Sequence, residues 1–291
     1  GGQQDVGCGV HATTRGNEPR FLSRGTKSVD NSFPTQPGYH DGMVTTQPSF
    51  PGVALDWLVD SPSARVLALG RTCAAMLPAL ADRGVHLTAN DPDPAGVRRL
   101  LAHAPRALPA VSEASHLPFV PAAFDIVLIN QSFHTLDAPR ALPEFARVLR
   151  PGGHVAVAYT IRDDSVPWVR RLVTLMRAVD PEAMTGDYGS TSVDALAASP
   201  HFPTVERKDF RLWAPIARAG MLDMVRRRFP KLDAARLDDL LDAVGNLYDT
   251  SARAPQPLLL PYRVACWRGL VDHSELTSGL TLPDDGLTIS L

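Results

Sequence analysis

The chain has 291 residues, 44% hydrophobic and 21% charged, with a formal net charge of −2. This is the composition of an ordinary globular chain, and it leaves no electrostatic footprint for nucleic acid or an anionic membrane surface. No apolar run reaches the ~18 residues of a membrane span. Cys8, Cys73 and Cys266 are far apart and odd in number, so neither a disulfide framework nor a zinc cluster is expected. Free thiols, no metal and a cytoplasmic location follow as expectations.

Residues 1–42 are polar and aperiodic and read as a flexible leader, and 274–291 as a flexible tail. Between them, 43–273 read as one α/β domain. "SFPGVALDWLV" predicts an amphipathic helix with Ala54, Leu55, Leu58 and Val59 on one face. A regular alternation then begins. "RVLALG" predicts a buried strand and "AAMLPALADRG" a helix closed by Gly84. "VHLTAND" and "PAGVRRLLAHA" form the next strand and helix, and "ALPAVS" a third strand. "FDIVLIN" is apolar throughout its length apart from two polar residues, as strands covered on both faces tend to be. "APRALPEFARVLR" predicts a helix stopped by Pro-Gly-Gly before the strand "HVAVAYT". Alternation with short turns implies a doubly wound, mostly parallel sheet with right-handed crossovers.

Beyond Tyr159 the pattern changes. "VPWVRRLVTLMRAV" predicts a helix and "TVERKDFRLW" a strand. "RAGMLDMVRRRF" and "AARLDDLLDAVGNLY" predict two helices of an insertion over about 215–254, and "LLLPYRVACWRG" the last strand. Seven strands are expected in all.

Sheets of this kind bind ligands outside the carboxyl ends of their strands, where the strand order reverses. Two features fall there. Gly70 opens the first strand-to-helix turn, and Asp91 ends the second strand about 20 residues later, the spacing at which an acid accepts hydrogen bonds from a ribose. The competing role for Asp91 is a helix N-cap within "NDPDPAG".

These segments resemble, in order, those of the class I S-adenosylmethionine-dependent methyltransferases, in particular the small-molecule branch similar to trans-aconitate methyltransferase. The likeness runs from about Gln47 to Gly269, and its most specific stretch is "EFARVLRPGGHVAVAY". The resemblance implies a Rossmann-like fold and S-adenosylmethionine as cofactor. It implies backbone approach at Gly70 and ribose binding at Asp91. Glu113 and Ala114 fall on the adenine side, Asn130 and Gln131 beside the sulfonium, and His134 facing the acceptor. Arg71 is the candidate for pairing with the methionine carboxylate.

The family's acid-x-Gly-x-Gly-x-Gly turn is here Ala68, Gly70, Thr72 and Ala74. Losing one charged hydrogen bond costs about 1.5–3 kcal/mol, or ten- to a hundredfold in affinity. Two functions therefore stand side by side: methyl transfer to a small molecule, or a non-catalytic binding or scaffold module that has lost its cofactor. A dinucleotide-dependent oxidoreductase has a poorer glycine pattern still. For a hydroxyl acceptor, His134 is the candidate base, with capping or packing as its alternative. For a carboxylate acceptor, Arg162 or Arg170 would orient it. The insertion is expected to cover the acceptor pocket, with Arg226 to Arg228 and with Trp168, Trp213 and Tyr248 either lining it or packed in the core. The oligomeric state is not legible in the sequence.

Overall fold

A computed structural model describes residues 50–181, 183, 189–253 and 255–274. The expected leader, and the tail beyond Ser274, lie outside them. The domain is built from helix α1 (Gly52–Leu58), strand β1 (Arg65–Leu69), α2 (Leu77–Asp82), β2 (His86–Asn90), α3 (Pro94–His103), β3 (Leu108–Ala110) and β4 (Phe124–Asn130). It continues with α4 (Ala138–Val148), β5 (Leu149–Arg162), α5 (Pro167–Val179), α6 (Asp194–Ala197), β6 (Thr204–Ile216), α7 (Arg218–Arg228), α8 (Ala234–Ser251) and β7 (Leu258–Leu270).

The strands form one seven-stranded sheet in the order β3-β2-β1-β4-β5-β7-β6. β1 to β5 run parallel, and β7 is antiparallel to both β5 and β6. The strand order reverses between β1 and β4, so the ligand edge lies above those two strands. All seven residues of β4 are buried, since helices cover both of its faces. Ala54, Leu55 and Leu58 of α1 join Val66, Leu77 and Leu100 on one face of the sheet. Phe133, Phe145, Val155, Val157 and Tyr159 fill the other.

The segment "AAMLPALADRG" is not one helix. A 3-10 turn, Arg71–Ala75, comes first, and α2 starts only with Pro78 in its first turn. Proline is pre-organised at a helix start and cannot donate within one, which explains the break. Gly84 closes α2 with a φ of 78°, as expected. β5 begins earlier than expected and runs through the Pro-Gly-Gly turn, where the register with β4 shifts between Phe124 and Ile126.

Helices α7 and α8 join α5 in a separate apolar cluster that includes Leu172, Met176, Met221, Val225 and Val244. Trp168 packs against this cluster, and Tyr248 belongs to it, its hydroxyl donating to Ile216 O at 3.1 Å. These two aromatics are core residues rather than pocket walls; Trp213 is not.

His154 on β5 is buried and its Nε2 stands 2.9 Å from Leu58 O. A carbonyl only accepts, so Nε2 carries a proton. Burial pushes its pKa below the ordinary 6.5. The unfolded chain therefore takes up the proton first as pH falls. Its contribution to stability is complete above about pH 6.5 and is lost as pH falls through the window between that value and the depressed one. Denaturant unfolding at about pH 7.5 and about pH 5.5 is expected to show lower stability at the acid end. His154→Gln should flatten that difference.

Candidate functional site

The turn after β1 and the end of β2 are fastened by Asp91. Its Oδ2 accepts from Arg71 N at 2.8 Å and its Oδ1 from Asp93 N at 2.9 Å, with the residue 4% exposed. The carboxylate sits over Gly96 in the first turn of α3; a Cβ at Gly96 would stand 2.3 Å from Asp91 Cγ. The N-cap of α3 is Asp93, whose carboxylate accepts from Ala95 N, so Asp91 does not have that role. Gly70 has a φ of 83°, where only glycine is at ease, and its N–H donates to Asn90 O. The nearest atom to a Cβ there would be Ser132 Oγ at 3.5 Å, so the backbone is open to approach.

The end of β4 faces this turn. Asn130 Nδ2 donates to Thr72 O at 2.7 Å, which fixes the orientation of its amide. Oδ1 is then left buried without a donor. Gln131 has a φ of 58°, strained for a side-chain-bearing residue, and its backbone N–H donates to Ala158 O while its side chain reaches Thr160 O at 3.3 Å. Thr72 Oγ1 donates to Ser132 Oγ at 3.2 Å. The two turns are thus laced together by side chains across the switch point. Asn90 and Ser112 form a second lacing toward the β3 end, Ser112 Oγ to Asn90 Oδ1 at 2.8 Å and Asn90 Nδ2 to Ser112 O at 3.0 Å. Neither Ser132 nor Ser112 was singled out by the sequence, which carries no motif for a serine bridge.

Gly70, Arg71, Asp91, Asn130 and Gln131 therefore meet at one edge. Arg71 meets it through its backbone, while its side chain is exposed. Glu113 is exposed and Ala114 half-buried in the loop that Ser112 anchors. Ala68 is wholly buried in β1 and brings no carboxylate.

His134 lies in a 3-10 turn after β4, exposed, with both its backbone N–H and its Nδ1 on the hydroxyl of Tyr159, at 3.1 and 3.0 Å. Tyr159 is wholly buried. The signal for it was present: a lone hydroxyl in the apolar run "HVAVAY". Gly189 backs the imidazole so closely that a Cβ would stand 2.5 Å from His134 Cγ. The arginines expected to orient an acceptor are engaged elsewhere. Arg162 is tied to Asp164 at 2.7 Å with its side chain 7% exposed, Arg226 to Asp223 and Arg228 to Asp180. Arg170 reaches only its own neighbourhood, at Ser165 O. Among the described residues no group of three or more His, Cys, Asp or Glu is placed to hold a metal, and no helix is long and apolar enough to cross a membrane.

The edge fits an amino-acid-bearing nucleoside at three points. The orphaned Asn130 Oδ1 can accept from an ammonium, and Gly70 leaves its backbone open. Asp91 has used two of the roughly four lone-pair sites of a carboxylate. It offers less grip than an acid at position 68 and glycine at 72 would.

A family profile described as a methyltransferase domain matches residues 67–157. An uncharacterized methyltransferase of Mycobacterium tuberculosis is 31% identical over 226 residues, covering 76% of this chain and 89% of the relative. A demethylmenaquinone methyltransferase of Clavibacter sepedonicus is 35% identical over 122 residues, 40% of this chain and 49% of that relative. Among solved structures, a candidate type II methyltransferase from Anaeromyxobacter dehalogenans is similar with a TM-score of 0.57 at 24% identity, over 77% of this chain and 97% of that one. That likeness carries the fold alone. These relatives reach the family without singling out the trans-aconitate branch, and they support methyl transfer as its general chemistry. The chain belongs to the class I S-adenosylmethionine-dependent methyltransferase family.

Proposed function

We propose that this protein transfers a methyl group from S-adenosylmethionine to a small molecule, through a hydroxyl or carboxylate of the acceptor. The observation that carries the reading is Asn130 Oδ1, a buried acceptor with no donor, at the same edge as Gly70 and Asp91. Leaving such an atom unpaired costs about 1–3 kcal/mol, which a bound ammonium would offset. Asp91 would hold the ribose, Glu113 and Ala114 the adenine side, and Gln131 the neighbourhood of the sulfonium. Arg71, its guanidinium exposed, is available to the methionine carboxylate. When bound, the cofactor supplies an electrophilic methyl carbon whose in-line displacement needs positioning above all. His134, held by Tyr159, takes the proton of a hydroxyl acceptor; a carboxylate acceptor needs no base. A cytoplasmic setting belongs to the same proposal, supported by the buried free thiols Cys73 and Cys266, whose pKa values burial pushes up to about 12.

A second reading is a non-catalytic binding module, favoured by the Thr72–Ser132 hydrogen bond across the switch point and by Ala68. Calorimetric titration with S-adenosylmethionine and its demethylated product separates the two. Saturable heat below about 1 mM, tightened about tenfold by Thr72→Gly, is the expected result. A folded sample giving no heat up to about 1 mM, with or without Thr72→Gly, would leave the second reading in place.

A further inference from the structure

The arginines that the sequence pointed to are paired, but two others are not so easily explained. In the register of β5, β7 and β6, Tyr159, Ala265 and Asp209 form one row and Ile161, Arg263 and Arg211 the next. Side chains alternate faces along a strand, so all of these share the face that carries Tyr159 and Trp267. Arg263 and Arg211 thus stand directly opposite each other, both exposed, an arrangement that like charges disfavour. Arg263 reaches Asp209 at 3.6 Å, a carboxylate already bonded by Arg207 at 3.1 Å. Arg207 in turn lies over the Trp267 ring. Asp163 faces both Arg211 and Arg263 at longer range. Among the described residues Arg211 has no hydrogen-bond or ion-pair partner. Three arginines against two aspartates leave the patch positive.

The apolar surroundings are equally uneven. Trp213 and Leu259, on the same face by alternation, are 46% and 48% exposed, although each lies in a paired strand. Trp213 follows Arg211 on the same face of β6, and Leu259 lies diagonal to Trp213, beyond Pro261 on β7, toward the end of the sheet that also carries Gly70 and Asn130. By strand geometry Arg263 is one strand over and two residues beyond Tyr159, on the order of 8 Å between Cα atoms. The patch therefore begins one strand over from Tyr159, on whose hydroxyl His134 rests.

We propose that Arg211 and Arg263, with Trp213 and Leu259 beside them, bind a small organic anion: a carboxylate carrying an aromatic or aliphatic body. Two guanidinium groups match the oxygens of one carboxylate and are relieved of their mutual repulsion by it. Trp213 and Leu259 supply the apolar wall for the body of the ligand. The binding stands apart from the methyl-transfer reading; under that reading it places a carboxylate-bearing acceptor beside His134.

The test uses the full chain without cofactor, titrated with 2-naphthoate and with the neutral 2-naphthamide by calorimetry at low ionic strength. Naphthoate is expected to bind at least about tenfold more tightly than the amide. Arg211→Gln and Arg263→Gln should each cost about tenfold for naphthoate and leave the amide unchanged. Trp213→Ala should weaken both. Arg211→Gln removes a like-charge neighbour, so its melting temperature should match or exceed that of the parent, which separates lost binding from lost fold. Equal affinity for acid and amide, an unchanged affinity in the Arg→Gln chains, or no saturation up to about 10 mM would overturn the proposal. So would sedimentation showing a self-associated chain that Trp213→Ala makes monomeric, since the patch would then belong to a second copy.

Discussion

Asp91→Ala is expected to lower the melting temperature by roughly 5–12 °C and to abolish the heat of cofactor binding. The carboxylate holds two backbone N–H groups, Arg71 and Asp93, in a site that water barely reaches. Hydrogen bonds to a charged group contribute about 1.5–3 kcal/mol each, and both donors would be left short of a partner. The two turns then lose their common anchor, and Gly70 no longer has reason to hold its position. Asp91→Asn keeps one accepting oxygen and should fall between the two. Differential scanning calorimetry with a parallel titration reads both effects. A melting temperature within about 1 °C of the parent would mean that the loop is held by other contacts.

Gly153→Ala is expected to cost about 3–4 kcal/mol, and Gly152→Ala, its neighbour, about 1–2 kcal/mol. A Cβ on Gly153 would stand 2.7 Å from Asp125 O and 2.9 Å from Arg150 O, both backbone atoms at the bulge where β5 meets β4. Neither can move without shifting a ladder. Gly152 has a φ of 80° but open space around its Cβ position, so its cost is conformational alone. Chemical denaturation of the two chains gives the comparison, and equal costs would show that the bulge yields freely.

The alternation of apolar strands and amphipathic helices made the sheet legible, because each strand of the parallel core is either buried on both faces or ended by a turn residue. What the pattern hid lies at the ends of the strands. The 3-10 turn Arg71–Ala75 has no periodicity of its own and was absorbed into the helix drawn after it. Gly70 and Asp91 were visible as residue types at a spacing. Yet it is Gly96, outside any motif the sequence offered, that gives the Asp91 carboxylate its seat. Ser132 and Tyr159 act through single hydroxyls, one in the turn after β4 and one on β5, and pairing between distant strands leaves no local trace. The arginine pair Arg211 and Arg263 was invisible for the same reason: its members are far apart in the chain and adjacent only in the antiparallel register.

That register has one more consequence. Strands β6 and β7 pair continuously from Thr204 with Leu270 to Ile216 with Leu258, so together they are a long hairpin whose loop is the entire segment 217–257. Closing a loop costs entropy only logarithmically in its length, about 0.6 kcal/mol for each doubling. The helices within it have an apolar cluster of their own, shared with α5. The segment can therefore be lengthened at its exposed turns at small thermodynamic expense while the cluster, the hairpin and the sheet stay as they are. Length variation in this segment is thus uncoupled from the strands that present Gly70, Asp91 and Asn130.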